Sequence, residues 1–562
     1  MMLRALLILF GLLSFAGPAR AACEDGVEAG WTDFEKTAWT ILAAGDAFDG
    51  AAALAGQVGL HPELSAQFIH TILTCERFFR LLPEGDVVLR GIGVREDLDL
   101  SRRTVLSRLE CSLCVFKNIV AQETVWQRGL SLRRVRLFGA LDLSRGRLGT
   151  SLALTDVEID KELDLSRATV GGDVIISGYS RIGDLYGDSA DIAGSLEFQG
   201  VEILGAATLW GIEVARDIVL RANDAGRRTA IGPEAGGTAP GSSILRLGSA
   251  KIDRRISISN TTVNGGIDMD AVRITEDLWL RNCSEVAGPI NLVFARVGQN
   301  IDFSSTMLSD VDLTGARIGG ELRLGAPLGR LTAPVWAPDA QLILRNVELS
   351  SWTDAAGNDA PRATGCAPVG ENGDPWPRRI DVIGFTYQNI GGLGGGSPTV
   401  KHDVDWFCAW LDRQAPFSFE PYQHAAAYLR RVGMDEDADD VLYCGKLRQI
   451  DNTPSWAGKA ALQIQRGFVG FGYHVERSLV WAALFILLGQ QIFSRTKEAR
   501  EHRMPIGLAY SIEMFIPGLA LRGAHSQIDL KGWQRYYFYV HKFMGWILGS
   551  FVVASFLGLI GQ

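Results

Sequence analysis

A repeat constrains this chain more than any other feature. From about residue 87 the pattern apolar-x-apolar-x-x-small-x-apolar-Gly-x-x returns every 11 residues. Leu98/Leu100/Val105, Leu141/Leu143/Leu148, Leu152/Leu154/Ile159 and Leu163/Leu165/Val170 are well-formed copies, and Leu342/Leu344/Leu349 closes the series. An 11-residue period also suits right-handed helical supercoils. Here the local alternation of two, the β-branched residues and the recurring Gly and Ser favour short strands joined by turns. One such unit cannot bury its own apolar face, so the units must stack into a solenoid that pairs each coil with the next. With two units per coil, about ten coils at roughly 4.8 Å each make a rod on the order of 50 Å long. Two or three units per coil remain open. The expected fold is mainly β: a right-handed β-solenoid over 83–350 with an N-terminal helical cap, a C-terminal αα-hairpin and two transmembrane helices.

The flanks differ from the repeat. Residues 1–21 read as a signal peptide, with Arg4 before a short apolar run and Ala19-Arg20-Ala21 as the cleavage site. Residues 22–82 form the expected helical cap, with helices over Thr37–Ala53 and from Pro62 to Phe79. Asp224–Ser243 reads as a loop thrown out of one corner. Residues 351–400 read as an irregular segment and linker, containing an apolar strand at Ile380–Tyr387 and the glycine-rich run Gly391–Ser397. The helical hairpin domain covers 401–470, with Trp406, Trp410 and Leu411 on one stripe, then Pro421–Arg431 and Asp435–Ile450 as helices. In the membrane domain, 471–562, Ser478–Phe493 and Val540–Ile560 are the spans. The basic residues between them (Arg495, Lys497, Arg500, Arg503, Arg522, Lys531, Arg535) put that loop in the cytoplasm. Both signals therefore place the solenoid in the periplasm and the anchor in a bacterial inner membrane.

The net charge of −9 and pI near 5.5 argue against a general nucleic-acid binder, which needs a basic surface. All eight cysteines follow the cleavage site, as expected for disulfides in an exported chain. Cys111 and Cys114 have redox or metal spacing, but their surroundings read as strand, so a structural disulfide is expected.

Several ordered motifs resemble one bacterial family, the pentapeptide-like repeat membrane proteins, sometimes labelled membrane-associated oxidoreductases. They are Leu-Asp-Leu-Ser at 98–101, 141–144 and 163–166, and Ile383-Gly384-Phe385-Thr386-Tyr387. Trp410-Leu411, Pro421-Tyr422-Gln423, Gly470-Phe471-Gly472-Tyr473, Tyr510-Ser511-Ile512 and Pro517 follow. The resemblance implies architecture. No residue supports the oxidoreductase label: no dinucleotide-binding GxGxxG follows a strand, and no haem or iron–sulfur cysteine spacing occurs.

Asp99, Asp142 and Asp164 occupy the second position of their units and point outward; a carboxylate ladder could bind a cation or act on a sugar, or simply face solvent. Trp126, Trp210 and Trp279 are candidates for stacking on a glycan, or pack at corners. His70, His402, His424 and His474 never recur at metal spacing, and no catalytic residue, cofactor or metal is assigned. Tyr510, Glu513 and Pro517 lie where two-helix channels place a pore loop, but no carbonyl filter motif is present, and an interfacial segment is the alternative. The expected function is a membrane-tethered scaffold in contact with lipid, binding a protein or envelope-glycan partner, as a single chain or a homo-oligomer. The alternatives are a channel- or transport-like assembly and an enzyme acting on carbohydrate or a redox substrate.

Overall fold

A computed structural model describes residues 27–53, 62–233, 242–325, 332–354, 374–392, 402–496, 507–523, 525 and 528–556. The signal-peptide reading at 1–21 and the glycine run at 393–397 lie outside these residues. The chain forms two compact units, 1–400 and 401–562.

The first unit is a parallel β-solenoid of about ten turns. Leu141 pairs in register with Leu163 and Leu163 with Leu185, so one coil consumes two 11-residue units. Each coil has four short sides. The first two sides join a 23-stranded sheet and the last two a 19-stranded sheet. The apolar positions form continuous columns. One runs Leu89, Cys111, Leu132, Leu154, Ile176, Phe198 and Leu220 along the second side. Another runs Leu98, Ile119, Leu141, Leu163 and Leu185 along the fourth. All of these side chains are buried, so the core is a stack of like on like, and backbone amides hydrogen-bond between neighbouring coils along the ladders.

The repeat also explains its own corners. The fifth residue of each unit is left-handed: Arg102, Leu113, Glu123, Arg134, Arg145, Asp156, Arg167 and Ser189 all have φ between 53° and 58°. A side chain in that region costs about 1 kcal/mol, and the corners offset it with hydrogen bonds. Arg145 N–H donates to Ser166 O of the next coil at 2.8 Å, and Glu123 N–H to Ser144 O at 2.9 Å. The unit glycine has a different purpose. Gly319 needs no unusual φ, but a Cβ there would lie 2.1 Å from the carbonyl oxygen of Gly298 in the preceding coil.

The long departures from the period that the described residues bracket leave and rejoin the ladder between the second and fourth sides: the chain leaves after Arg221, Ile231, Leu324 and Asp354 and resumes at Thr229, Ser243, Val335 and Arg379. The 224–243 insertion is therefore not wholly a loop: Thr229–Ile231 returns to the ladder and pairs with Thr261–Val263. The ladder also outlasts residue 350. Glu348–Asp354 is a strand, and Arg379–Asp381 with Thr386–Ile390 adds a further coil.

The cap contains α1 (Asp33–Ala43), α2 (Gly50–Ala53), α3 (Ala66–Thr74) and α4 (Glu76–Phe79). The helix expected over Thr37–Ala53 stops at Ala43, because Gly45 turns the chain at φ 90°. Phe48–Asp49 then pairs with Leu89–Arg90 and covers the first edge of the sheet. Thr32 and Glu35 form a capping box at the start of α1. The buried Glu35 carboxylate also accepts from the Ser65 hydroxyl at 2.5 Å and the Ser65 N–H at 3.1 Å. This ties the starts of α1 and α3 together.

In the second unit, α5 (Val404–Asp412) packs with the hairpin of α6 (Glu420–Arg431) and α7 (Asp435–Asn452). Gly433, at φ 84°, makes the turn. A further helix, α8 (Trp456–Val469), leads into α9 (Val475–Ser494), α10 (Leu508–Phe515) and α11 (Trp533–Phe556). Glu476–Ser494 is the one described helix long and apolar enough to cross a membrane by length and composition; α11 does not meet that test. It starts seven residues before Val540, and residues 557–560 of the expected second span lie outside the described residues.

Candidate functional site

The Asp residues of Leu-Asp-Leu-Ser are turn caps. Asp99, Asp142 and Asp164 each use Oδ1 to accept from the backbone N–H two residues on, in Ser101, Ser144 and Ser166, at 2.8–2.9 Å. The bond steers the chain into the left-handed fifth residue. The two Ser101 hydrogen bonds, side chain and backbone, hold the Asp99 carboxyl below the ordinary aspartate value against the opposing effect of burial. Asp142 and Asp164 do stack on one face, in register, while Val120 separates Asp99 from Asp142. One oxygen of each carboxylate is thus committed to the fold, and Asp142 Oδ2 also accepts from Gln122 Nε2 at 2.6 Å.

The tryptophans are similarly engaged. Trp126 is fully buried. Trp279 has the guanidinium carbons of Arg281 and Arg255 at 3.7 and 4.8 Å from its ring centroid. Those arginines are themselves held by Asp302 and Asp217. The ring is stacked by cations of its own chain, not laid open for a sugar. Trp210 is exposed and lies over Gly248. Cys111 and Cys114 form a disulfide across the corner at Leu113. Cys408 and Cys444 join α5 to α7, and Cys75 and Cys283 are disulfide-bonded as well.

Two features remain as candidate sites. The first is a groove of about 490 Å³ on the first coils, lined by Pro62, Ile92, Val94, Leu113, Val115 and Phe138 among others, with Arg95 and Lys117 at its side. Leu113 and Phe138 are more than half exposed, and the Arg136 guanidinium stacks on Phe138 at 4.8 Å. Exposed apolar side chains beside cations are typical of interaction surfaces.

The second lies among α9, α10 and α11. These helices are inside-out relative to a soluble bundle. α9 exposes Leu479, Val480, Leu484, Leu487 and Leu488, and α11 exposes Tyr536, Tyr539, Val540, Phe543, Trp546 and Val553. Polar groups are inside: Ser511, Glu513, His525 and His541 are all buried. Glycines allow the close packing. A Cβ on Gly489 would meet Ser511 Oγ at 2.4 Å and His541 Cε1 at 2.7 Å, and one on Gly545 would meet Phe515 O at 1.8 Å. Ser511 Oγ donates to Ile486 O at 2.7 Å, and His541 Nε2 lies 3.1 Å from Ser511 O. Glu513 Oε2 lies 2.5 Å from His525 Nδ1 and accepts from Arg522 N–H at 3.3 Å.

Of the residues expected to matter in this stretch, Tyr510 and Glu513 are buried in α10, and Pro517 is an exposed stop two residues beyond it. Sequence reading missed His525, His541 and Ser511. The available signal was weak: His541 opens an apolar run, but His525 sits in a polar connection with Arg522, Asp529 and Lys531 nearby in sequence. Among the described residues, no group of three His, Cys, Asp or Glu side chains could hold a metal ion. The fold makes this chain one of the β-solenoid proteins; no family model, curated protein or solved structure matches it.

Proposed function

We propose that this chain is an extracytoplasmic β-solenoid scaffold of the pentapeptide-like repeat class, anchored in the inner membrane by two spans, α9 and α11. The observation that carries the anchoring is the inversion of α9–α11, with large apolar side chains outward and Ser, Glu and His inward. Water disfavours that arrangement and lipid favours it. It supports α11 as a second span although the start of that helix, Trp533 to Lys542, is rich in Tyr and carries Arg535 and Lys542. The basic 495–535 connection then faces the cytoplasm, and the solenoid and the C-terminus face the periplasm. The groove at Leu113, Val115 and Phe138 is the surface offered to a protein or envelope-glycan partner.

Reporter fusions after Val400, within 495–532 and at Gln562 test the reading. Outside, inside, outside is the expected result; a cytoplasmic solenoid would overturn the localisation and the partner class together. A second reading, a transport-like assembly, is favoured by one observation, the buried Glu513–His525 pair. Conductance of the reconstituted protein that is lost in Glu513→Ala would support it, and a silent wild-type protein would exclude it.

A further inference from the structure

We infer that Glu513 and His525 form a proton-binding site, with His525 Nε2 as the atom that takes the proton and Glu513 as the counter-charge that holds it. The site is built from three independent placements. Both side chains are buried, at 5% and 1% relative exposure. Glu513 Oε2 is 2.5 Å from His525 Nδ1. His525 Nε2 is buried and has no hydrogen-bond partner among the described residues.

The chemistry follows from the donor and acceptor inventory. An ionised carboxylate only accepts, so the hydrogen in the 2.5 Å contact belongs to Nδ1. That fixes the tautomer and leaves Nε2 as the basic lone pair. A buried acceptor with no partner is costly for a fold, and its retention next to a dedicated counter-ion is the arrangement found where a proton is taken up and released. Uptake converts the neutral imidazole beside the carboxylate into an imidazolium–carboxylate pair: one N–H bond forms at Nε2, none breaks, and the site's charge rises from −1 to 0.

Few other titratable groups reach the pair. On α10, Tyr510 lies with its ring edge-on to His525, 5.3 Å between centroids. In the connection to α11, Arg522 donates its backbone N–H to Glu513, and Asp529 is held by Arg535 at 2.8 and 2.9 Å. At the end of α9, Arg495 is exposed. On α11, His541 lies against the Ser511 carbonyl of α10 and against Phe493, whose ring centroid is 5.3 Å from Tyr510, 5.6 Å from Tyr537 and 5.4 Å from His541. The inference stands on this packing alone and needs neither the scaffold reading nor a partner.

The test is a titration of the full chain, labelled with ¹⁵N-histidine, in lipid nanodiscs. One of the eight histidines is expected to hold the Nδ1–H tautomer and to take its second proton at Nε2. His525→Gln removes that resonance. Glu513→Gln lowers the proton affinity at least roughly tenfold, a midpoint shift of at least about one pH unit, because the carboxylate's attraction for the imidazolium is lost. Glu513→Asp, which keeps the charge, restores most of it. The His541 signal serves as the internal check that α9–α11 remain packed. A His525 resonance that never titrates in the wild type, or a midpoint unchanged in Glu513→Gln with His541 unperturbed, overturns the assignment. If Glu513→Gln disturbs His541, the Asp variant decides: it must titrate near the wild-type midpoint.

Discussion

Gly319→Ala isolates what the repeat glycine does. Its φ is ordinary, so alanine brings no backbone strain; the whole effect comes from the added methyl, 2.1 Å from Gly298 O and 3.0 Å from Gly298 C. A comfortable carbon–oxygen contact is about 1 Å longer, so two coils spaced at roughly 4.8 Å must part locally by about that amount. The nearby inter-coil bonds, Gly298 N–H to Ile274 O at 2.9 Å and Gly320 N–H to Gln299 O at 2.8 Å, sit in the rungs that would move. Losing most of one or two such bonds, at about 1 kcal/mol each, plus residual crowding, gives a cost of about 2–3 kcal/mol. The comparison variant is Gly211→Asn. Gly211 has φ 64°, and its nearest neighbour to a new Cβ is Ser189 Oγ at 3.7 Å. Arg167 and Ser189 hold the equivalent corner in the two preceding coils with side chains present, and Asn tolerates this conformation well, so the expected change is below about 0.5 kcal/mol. Thermal unfolding of the full chain in detergent, followed by the β-sheet circular dichroism signal, should place Gly319→Ala roughly 2–4 °C below wild type and Gly211→Asn beside it. Equal melting of Gly319→Ala and wild type, or equal damage from both variants, would show that inter-coil clearance is not the reason for the glycine.

Three further outcomes follow from the same geometry. Asp164→Ala should cost about 1 kcal/mol by freeing the Ser166 N–H, while Asp164→Asn, which can still accept that bond, should melt close to wild type; a ladder selected for its charge would be affected alike by both. The Cys408–Cys444 disulfide closes a loop with a sequence separation of 36, so Cys408→Ser should lower the stability of the hairpin domain by about 2–4 kcal/mol in denaturant titrations, an effect that reductant should reproduce in the wild type. Burial pushes the Glu35 carboxyl up, but hydrogen bonds from Ser65 and Thr32 outweigh it and leave it below the ordinary 4.5. The lowered value means the contribution is complete above that ordinary value and is lost as pH falls through the lower folded-state value. Amide exchange in α1 and α3 should therefore rise on acidification below pH 4.5 in the wild type, and Glu35→Gln should flatten that rise.

The residues that set the fold were plain in the sequence because burial in a solenoid is periodic. Leu141, Leu163 and Leu185 advertise one column, and the helix starts at Pro421 and Asp435 were equally clear from the proline in the first turn and the Gly433 turn between them. The number of units per coil was not legible, since two and three units present the same 11-residue pattern; only the pairing of Leu141 with Leu163 separates them. The left-handed corners were hidden because Arg102, Leu113 and Phe294 occupy them, where a reader looks for Gly or Asn. The role of Asp99, Asp142 and Asp164 was obscured for a related reason: an outward carboxylate looks the same in a string whether it awaits a ligand or caps a turn. Glu513 could be singled out as the one acid within Tyr510–Gly523, but its partner His525 lies across an irregular connection that no helical or strand period spans.

Among the described residues the long departures open between the second and fourth sides, and this has a consequence for how such a molecule can change. The first two sides keep the ladder in register over most of the solenoid, with one slip between Ile318 and Glu321. Between the second and fourth sides the chain leaves the ladder after Arg221, Leu324 and Asp354, and the column at Leu245, Ile267 and Ile290 resumes after the first of these. One flank is thereby a fixed template and the other a row of independent insertion points. New recognition elements can be added coil by coil on the permissive flank while the stacking order is inherited unchanged.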